Sequence, residues 1–227
     1  MRKLSPVLAV LLCFSLLLTV PIVSAEATNV KTIKLKVNYI EVPISENIRV
    51  VRSEDDNSAK VQLFNKETGE LIETFGEIIE SVTPAPNSLS SDNTLAENLI
   101  LQAYNERTDY KNVTTRLTVK MEGYRSGSFV QINKVLSNKL AIVNSNKYYL
   151  EAVDEVYISA TGSFPTTQIV ADGSAVLTYV KRKGETGSIG GTADFIKGGF
   201  EVTYEWSDQV DWYARKPIHV TVNYKTM

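Results

Sequence analysis

From residue 31 onward apolar and polar side chains alternate with a period of two, the pattern of strands with one buried face. Ile33, Leu35, Val37 and Tyr39 alternate with Thr32, Lys34, Lys36 and Asn38, and the apolar parity then switches to Ile40, Val42 and Ile44. That switch predicts a bulge or bend near Tyr39. Residues 60–75 read as a hairpin, with Val61 and Leu63 on one arm, Leu71 and Phe75 on the other, and Glu67-Thr68-Gly69 between them. Gly69 is there to accept a positive φ.

The alternation resumes further on. Leu117, Val119 and Met121 share one parity, as do Val156, Ile158 and Ala160, then Val176, Thr178 and Val180, then Phe200, Val202, Tyr204 and Trp206, and finally Ile218, Val220, Val222 and Tyr224. Turn-rich segments such as Gly162-Ser163-Phe164-Pro165 and Asp172-Gly173-Ser174 separate these runs. Many strands of this kind, without alternating long helices, predict a mainly β fold: an antiparallel β-sandwich or barrel. At most one short helix is expected. Thr94-Leu95-Ala96-Glu97 has the form of a capping box, which favours a helix to about Tyr104, although 98–104 would also serve as a strand.

Two stretches break the pattern. Residues 81–94 carry Pro84, Pro86 and four serines and no aromatic residue, and read as a linker. It divides a small β-rich region, 26–80, from a sandwich domain, 95–227. Residues 1–25 combine Arg2 and Lys3, an apolar run from Val7 to Val20, Pro21 and the small residues of Val23-Ser24-Ala25. This is the form of a secretory signal peptide cut after Ala25. The apolar run is short for a bilayer span, so no transmembrane segment is expected in the mature chain. A secreted, extracellular or cell-surface location follows.

Composition narrows the chemistry. Cys13 is the only cysteine and lies in the leader, so the mature chain is expected to be free of thiols and disulfides. The net charge is −2, or −4 without Arg2 and Lys3, which argues against a nucleic-acid partner. With one histidine, His219, sites built on several Cys or His ligands are excluded, and no cofactor or metal is expected. His219 shares the parity of Thr221 and Asn223 and reads as a solvent-facing strand residue. No serine sits in a G-x-S-x-G elbow. The acidic stretch Ser53-Glu54-Asp55-Asp56-Asn57 reads as a surface turn, and the glycines from Gly184 to Gly199 as a loop or loose hairpin.

The richest constellation lies between Tyr204 and Arg215. Trp206, Asp208, Asp211, Trp212, Tyr213 and Arg215 are its candidate ligand-binding residues. Flat rings stack on the apolar faces of sugars while acids and guanidinium groups take their hydroxyls. The competing structural reading has Tyr204 and Trp206 finish a core face, Ser207 to Asp211 make a turn, and Trp212 and Tyr213 pack over the sandwich end. The expected function is non-catalytic binding of a cell-surface glycan or a protein partner. Two alternatives remain open: a glycoside hydrolase using Glu205, Asp208 and Asp211, and a secreted toxin or antimicrobial protein whose pro-region is 26–94.

Overall fold

The computed structural model describes residues 29–86, 96–111, 113–145, 147–184, 191–205 and 208–226. The leader with Cys13 and Ala25, the stretch 87–95, Gly187, Gly190 and Trp206 lie outside the described residues. The strands run β1 (Asn29–Lys34), β2 (Tyr39–Ile44), β3 (Ile48–Glu54), β4 (Ser58–Asn65), β5 (Leu71–Pro84), β6 (Glu97–Tyr110) and β7 (Val113–Ser126). After them come β8 (Phe129–Ile142), β9 (Tyr148–Ser159), β10 (Gln168–Arg182), helix α1 (Thr192–Lys197), β11 (Glu201–Tyr204) and β12 (Val210–Lys225). Sheet A has the order β1-β2-β12-β10-β9, with β11 also on β12, and sheet B the order β3-β4-β5-β6-β7-β8. All pairings are antiparallel and the two sheets pack face to face as a β-sandwich. No helix among the described residues is long and apolar enough to cross a membrane.

On β7 and β12 the core lies where the period-two reading puts it; on β10 it is Ala175, Leu177 and Tyr179 that face inward, while Val176, Thr178 and Val180 lie on the outer face. Ile218, Val220, Val222 and Tyr224 of β12 face Leu117, Val119 and Met121 of β7, and all are buried. Each such side chain contributes about 1.5–3 kcal/mol by leaving water. The Tyr224 hydroxyl crosses between the sheets and donates to the carbonyls of Gly76 (2.7 Å) and Tyr104 (2.9 Å). Gly76 is required by close approach: a Cβ there would come within 2.1 Å of the Tyr104 ring.

The 60–75 hairpin is present as β4 and β5, with Gly69 at φ +72°. Elsewhere the sequence pattern misleads. The parity switch at Tyr39 is a full hairpin, because β1 and β2 are separate paired strands joined by residues 35–38. Residues 97–104 are strand, not helix. Pairing of β6 on both flanks, with β5 and β7, outweighs the local capping signal. The one short helix is instead α1, inside the glycine-rich stretch. Residues 81–84 belong to β5 and pair with β6, so strands from both sides of the expected linker share sheet B. On β9 Val156 and Ile158 face solvent while Ser159 is buried, the reverse of the parity assigned from sequence. Tyr204 is also exposed, at 67 %, rather than continuing the buried row from Phe200.

The two ends of the sandwich are closed by different chemistry. At one end α1 inserts Phe195, fully buried, against Tyr110 and Tyr179 (stacked, 5.3 and 5.0 Å) and edge-on to Phe200 and Trp212 (both 5.3 Å). At the other end the buried carboxylate of Glu77 on β5 holds the β1–β2 turn. Its Oε2 accepts the N–H groups of Lys36 (2.8 Å), Val37 (2.9 Å) and Asn38 (3.2 Å), and its Oε1 the Asn38 side-chain amide (2.6 Å).

Strand β12 pairs with β11 at one end and β2 at the other, which among the described residues leaves its middle without a neighbouring strand on that side. Side chains of β6 cover the gap: Asn105 donates to the Thr221 carbonyl (2.8 Å) and Arg107 to that of His219 (3.3 Å). Pro217 removes one further donor.

Candidate functional site

The register of sheet A sets a row of side chains on its outer face. Thr178 of β10 lies opposite Tyr149 of β9 on one side and Arg215 of β12 on the other, and Val180 lies opposite Tyr213. Glu151, two residues from Tyr149, shares this face and ties the row together. Its Oε2 accepts from Arg215 Nε (3.0 Å) and Thr178 Oγ1 (2.9 Å), and its Oε1 from the Tyr149 hydroxyl (3.2 Å). The Arg215 guanidinium lies over the Tyr213 ring, 4.4 Å from its centre, and the Tyr213 hydroxyl donates to Glu205.

Glu151 is aimed by an irregularity in its strand. The β9–β10 register shifts between Ser174 and Val176, and Ala152 sits in the shift at φ +49°, a left-handed conformation that costs a non-glycine residue energy. The bulge lets Glu151 and Asp154 both pair on the outer face, opposite Val176 and Ser174. Bulges that re-aim a side chain, and local backbone strain, concentrate at functional sites.

Charges at the site are settled by its own bonds. The Arg215 guanidinium, with help from Thr178 and Tyr149, holds the Glu151 carboxyl below the usual carboxylate range, and Glu151 in turn raises Arg215. Bonding to Glu205 pushes the Tyr213 hydroxyl up, and partial burial does the same to Tyr149. At neutral pH the site therefore presents an ion pair, a threonine hydroxyl beneath it and two neutral phenols at its margins.

Of the residues expected from sequence, Tyr213 and Arg215 belong to this face. Trp212 has the opposite parity: its ring packs on Tyr179 (5.5 Å) and Phe195 and contributes to the aromatic end. Asp208 is exposed in the β11–β12 connection, Asp211 is half-buried at the start of β12, and Trp206 lies outside the described residues. Tyr149, Glu151 and Thr178 were not anticipated. Thr178 was grouped from sequence with Val176 and Val180 as one strand face, but that face is the outer one, and Glu151 and Arg215 are 64 positions apart with nothing local to link them.

His219 is solvent-facing, as its parity implies. Ser174 Oγ lies 3.2 Å from its Nδ1, Asp172 Oδ1 lies 3.4 Å from its Nε2, and Thr221 donates to Asp172 (2.6 Å). The set resembles a hydrolytic triad only in composition. Ser174 is in mid-strand between β9 and β12, where backbone N–H groups lie in the plane of the sheet and none is aimed at a developing oxyanion. No group of three or more metal-ligating side chains occurs among the described residues. Compared with protein-family models, with curated proteins and with solved structures, the chain finds no match.

Proposed function

We propose that this is an exported, non-catalytic binding protein whose outer sheet A face takes a cell-surface glycan. The observation that carries the reading is the Glu151–Arg215–Thr178 lattice held between Tyr149 and Tyr213 on a flat, open face. The exposed Tyr149 ring at its edge suits the apolar face of a sugar, and the pre-aligned Glu151 and Arg215 suit its hydroxyls at little ordering cost. The hydrolase alternative is less well supported, because Glu205 and Asp208 are exposed and a general acid needs desolvation to stay protonated at neutral pH.

The test is retention of the purified 26–227 chain on a panel of insoluble neutral and amino-sugar glycans. Retention that falls about tenfold or more in Tyr149→Ala/Tyr213→Ala, each stacked ring contributing about 0.5–1.5 kcal/mol, supports the reading. Undiminished retention in that double variant would overturn it.

A second reading has its own observation. Val153, Val156 and Ile158 on β9 are exposed close to this face, Ile158 at 63 %, which favours a protein partner. Cross-linking in surface extracts that depends on Val156 and Ile158 but not on the tyrosines would select it.

A further inference from the structure

The opposite face of the molecule carries a second, differently charged surface. On the outside of sheet B, Thr118 of β7 is flanked along its own strand by Arg116 and Lys120. Across the sheet it lies opposite Lys139 of β8 on one side and Tyr104 of β6 on the other. Lys139 is diagonal to both Arg116 and Lys120, at about 7–8 Å between backbone positions, within reach of long side chains. A shallow groove of about 340 Å³ runs over this point, lined by Gln102, Arg116, Thr118, Lys120, Ser137 and Lys139.

The counter-charges all lie to one side. Glu106 on β6 pairs with Arg116, whose guanidinium also stacks over Tyr104 (4.6 Å from the ring centre), and Glu80 on β5 pairs with Lys120 (2.5 Å). On the β8 side the outward neighbours are Ser137, Lys139 and Ala141, and Lys139 has no acidic partner among the described residues. The groove thus has cations on three sides of a threonine hydroxyl, and its acids face away from the open flank. Held in place by Glu106 and Tyr104, Arg116 gives up less rotamer freedom on binding than a free arginine would.

We infer that this groove binds an oxyanion borne on an anionic polymer, with Lys139 as the recruiting charge and Thr118, Ser137 and Gln102 as neutral hydrogen-bonding partners. The site is independent of the sheet A face, so the protein would bridge a neutral glycan on one side and a polyanion on the other. Phosphodiester and carboxylate polymers share the required chemistry.

The test is binding of the full mature chain to polyphosphate and to poly-glutamate, with dextran as neutral control, in 50 and 200 mM NaCl. The expected result is salt-sensitive binding to at least one polyanion and none to dextran. Lys139→Gln should weaken binding by up to about fivefold, the range of one exposed charge pair, and Lys139→Glu should weaken it further. Lys134→Gln, on the same strand outside the groove, should leave it unchanged. Preference for one polymer identifies the source of the oxyanion. Equal losses in the Lys134 and Lys139 variants, or no binding to either polyanion, would overturn the proposal. Loss of glycan retention in the tyrosine variants, with polyanion binding intact, separates this site from the one on sheet A.

Discussion

The two ends of the sandwich solve one problem, sealing the gap between the sheets, by opposite means. At the α1 end Phe195 fills a cradle of rings, and its contacts are many, weak and non-directional. At the β1–β2 end a single carboxylate does the work, through four directed bonds to the turn. An apolar seal should degrade in proportion to the volume removed. A polar seal should fail as a whole, because each donor left without an acceptor carries its own desolvation cost.

The largest effect should therefore come from Glu77→Leu. It keeps apolar bulk but leaves the N–H groups of Lys36, Val37 and Asn38 and the Asn38 amide facing hydrocarbon. At about 1–3 kcal/mol for each stranded donor, the loss should be at least about 4 kcal/mol in urea unfolding. Glu77→Asp, one methylene shorter, should cost nearly as much because the carboxylate no longer reaches the turn. A loss under about 1 kcal/mol for both variants would show that water replaces the carboxylate and that the polar seal is not all-or-none.

Next in size, Phe195→Ala should cost about 3–5 kcal/mol, and Phe195→Leu much less. That gradation is the contrast with the Glu77 pair. The alanine variant should also gain an apolar cavity, so benzene or indole should raise its melting temperature and leave the parent protein's unchanged. If Phe195→Leu is as damaging as Phe195→Ala, the aromatic end depends on ring geometry rather than volume, and the two ends are more alike than proposed.

These two ends also mark how far the sequence can be read. Strands whose faces are set by one local alternation, such as β7 and β12, were legible because core and solvent sides follow directly from parity. The β1–β2 turn was not. Residues 35–38 contain no glycine or proline, and the acceptor that makes the turn possible lies about 40 positions away on β5. Read locally, Leu35 to Tyr39 continues a strand, and a bulge was the smallest change that explained the shift in parity. The capping box before Glu97 misled for the related reason that β6 is held by neighbours on both sides. At the candidate site, Tyr213 and Arg215 were found because they adjoin two other aromatic residues in sequence. Their essential partner Glu151 was hidden by a bulge that no local signal announced.

A smaller and more discriminating effect is expected from Glu77→Gln. The new side-chain carbonyl can accept the three backbone N–H groups, and its NH₂ can donate to Asn38 Oδ1, which is buried without a partner among the described residues, once that amide turns over. At neutral pH the exchange should therefore cost no more than about 1 kcal/mol. Its pH dependence carries the information. Burial pushes the Glu77 carboxyl above its ordinary value near 4.5, against the opposing pull of its four donors. An acid whose folded value is raised binds its proton more tightly in the native state. The contribution of Glu77 is therefore complete below about pH 4.5 and declines as the pH rises towards the folded value, since the unfolded chain ionises first. Glutamine cannot ionise, and Glu73 and Asp109, also raised by burial, are common to both proteins and cancel in the difference. Stability measured in urea at pH 4, 5, 6 and 7 should show Glu77→Gln gaining on the parent protein as the pH increases. A difference that runs the other way would mean that the four donors outweigh burial, so that ionised Glu77 stabilises the turn and the polar end is strongest where the carboxylate is charged.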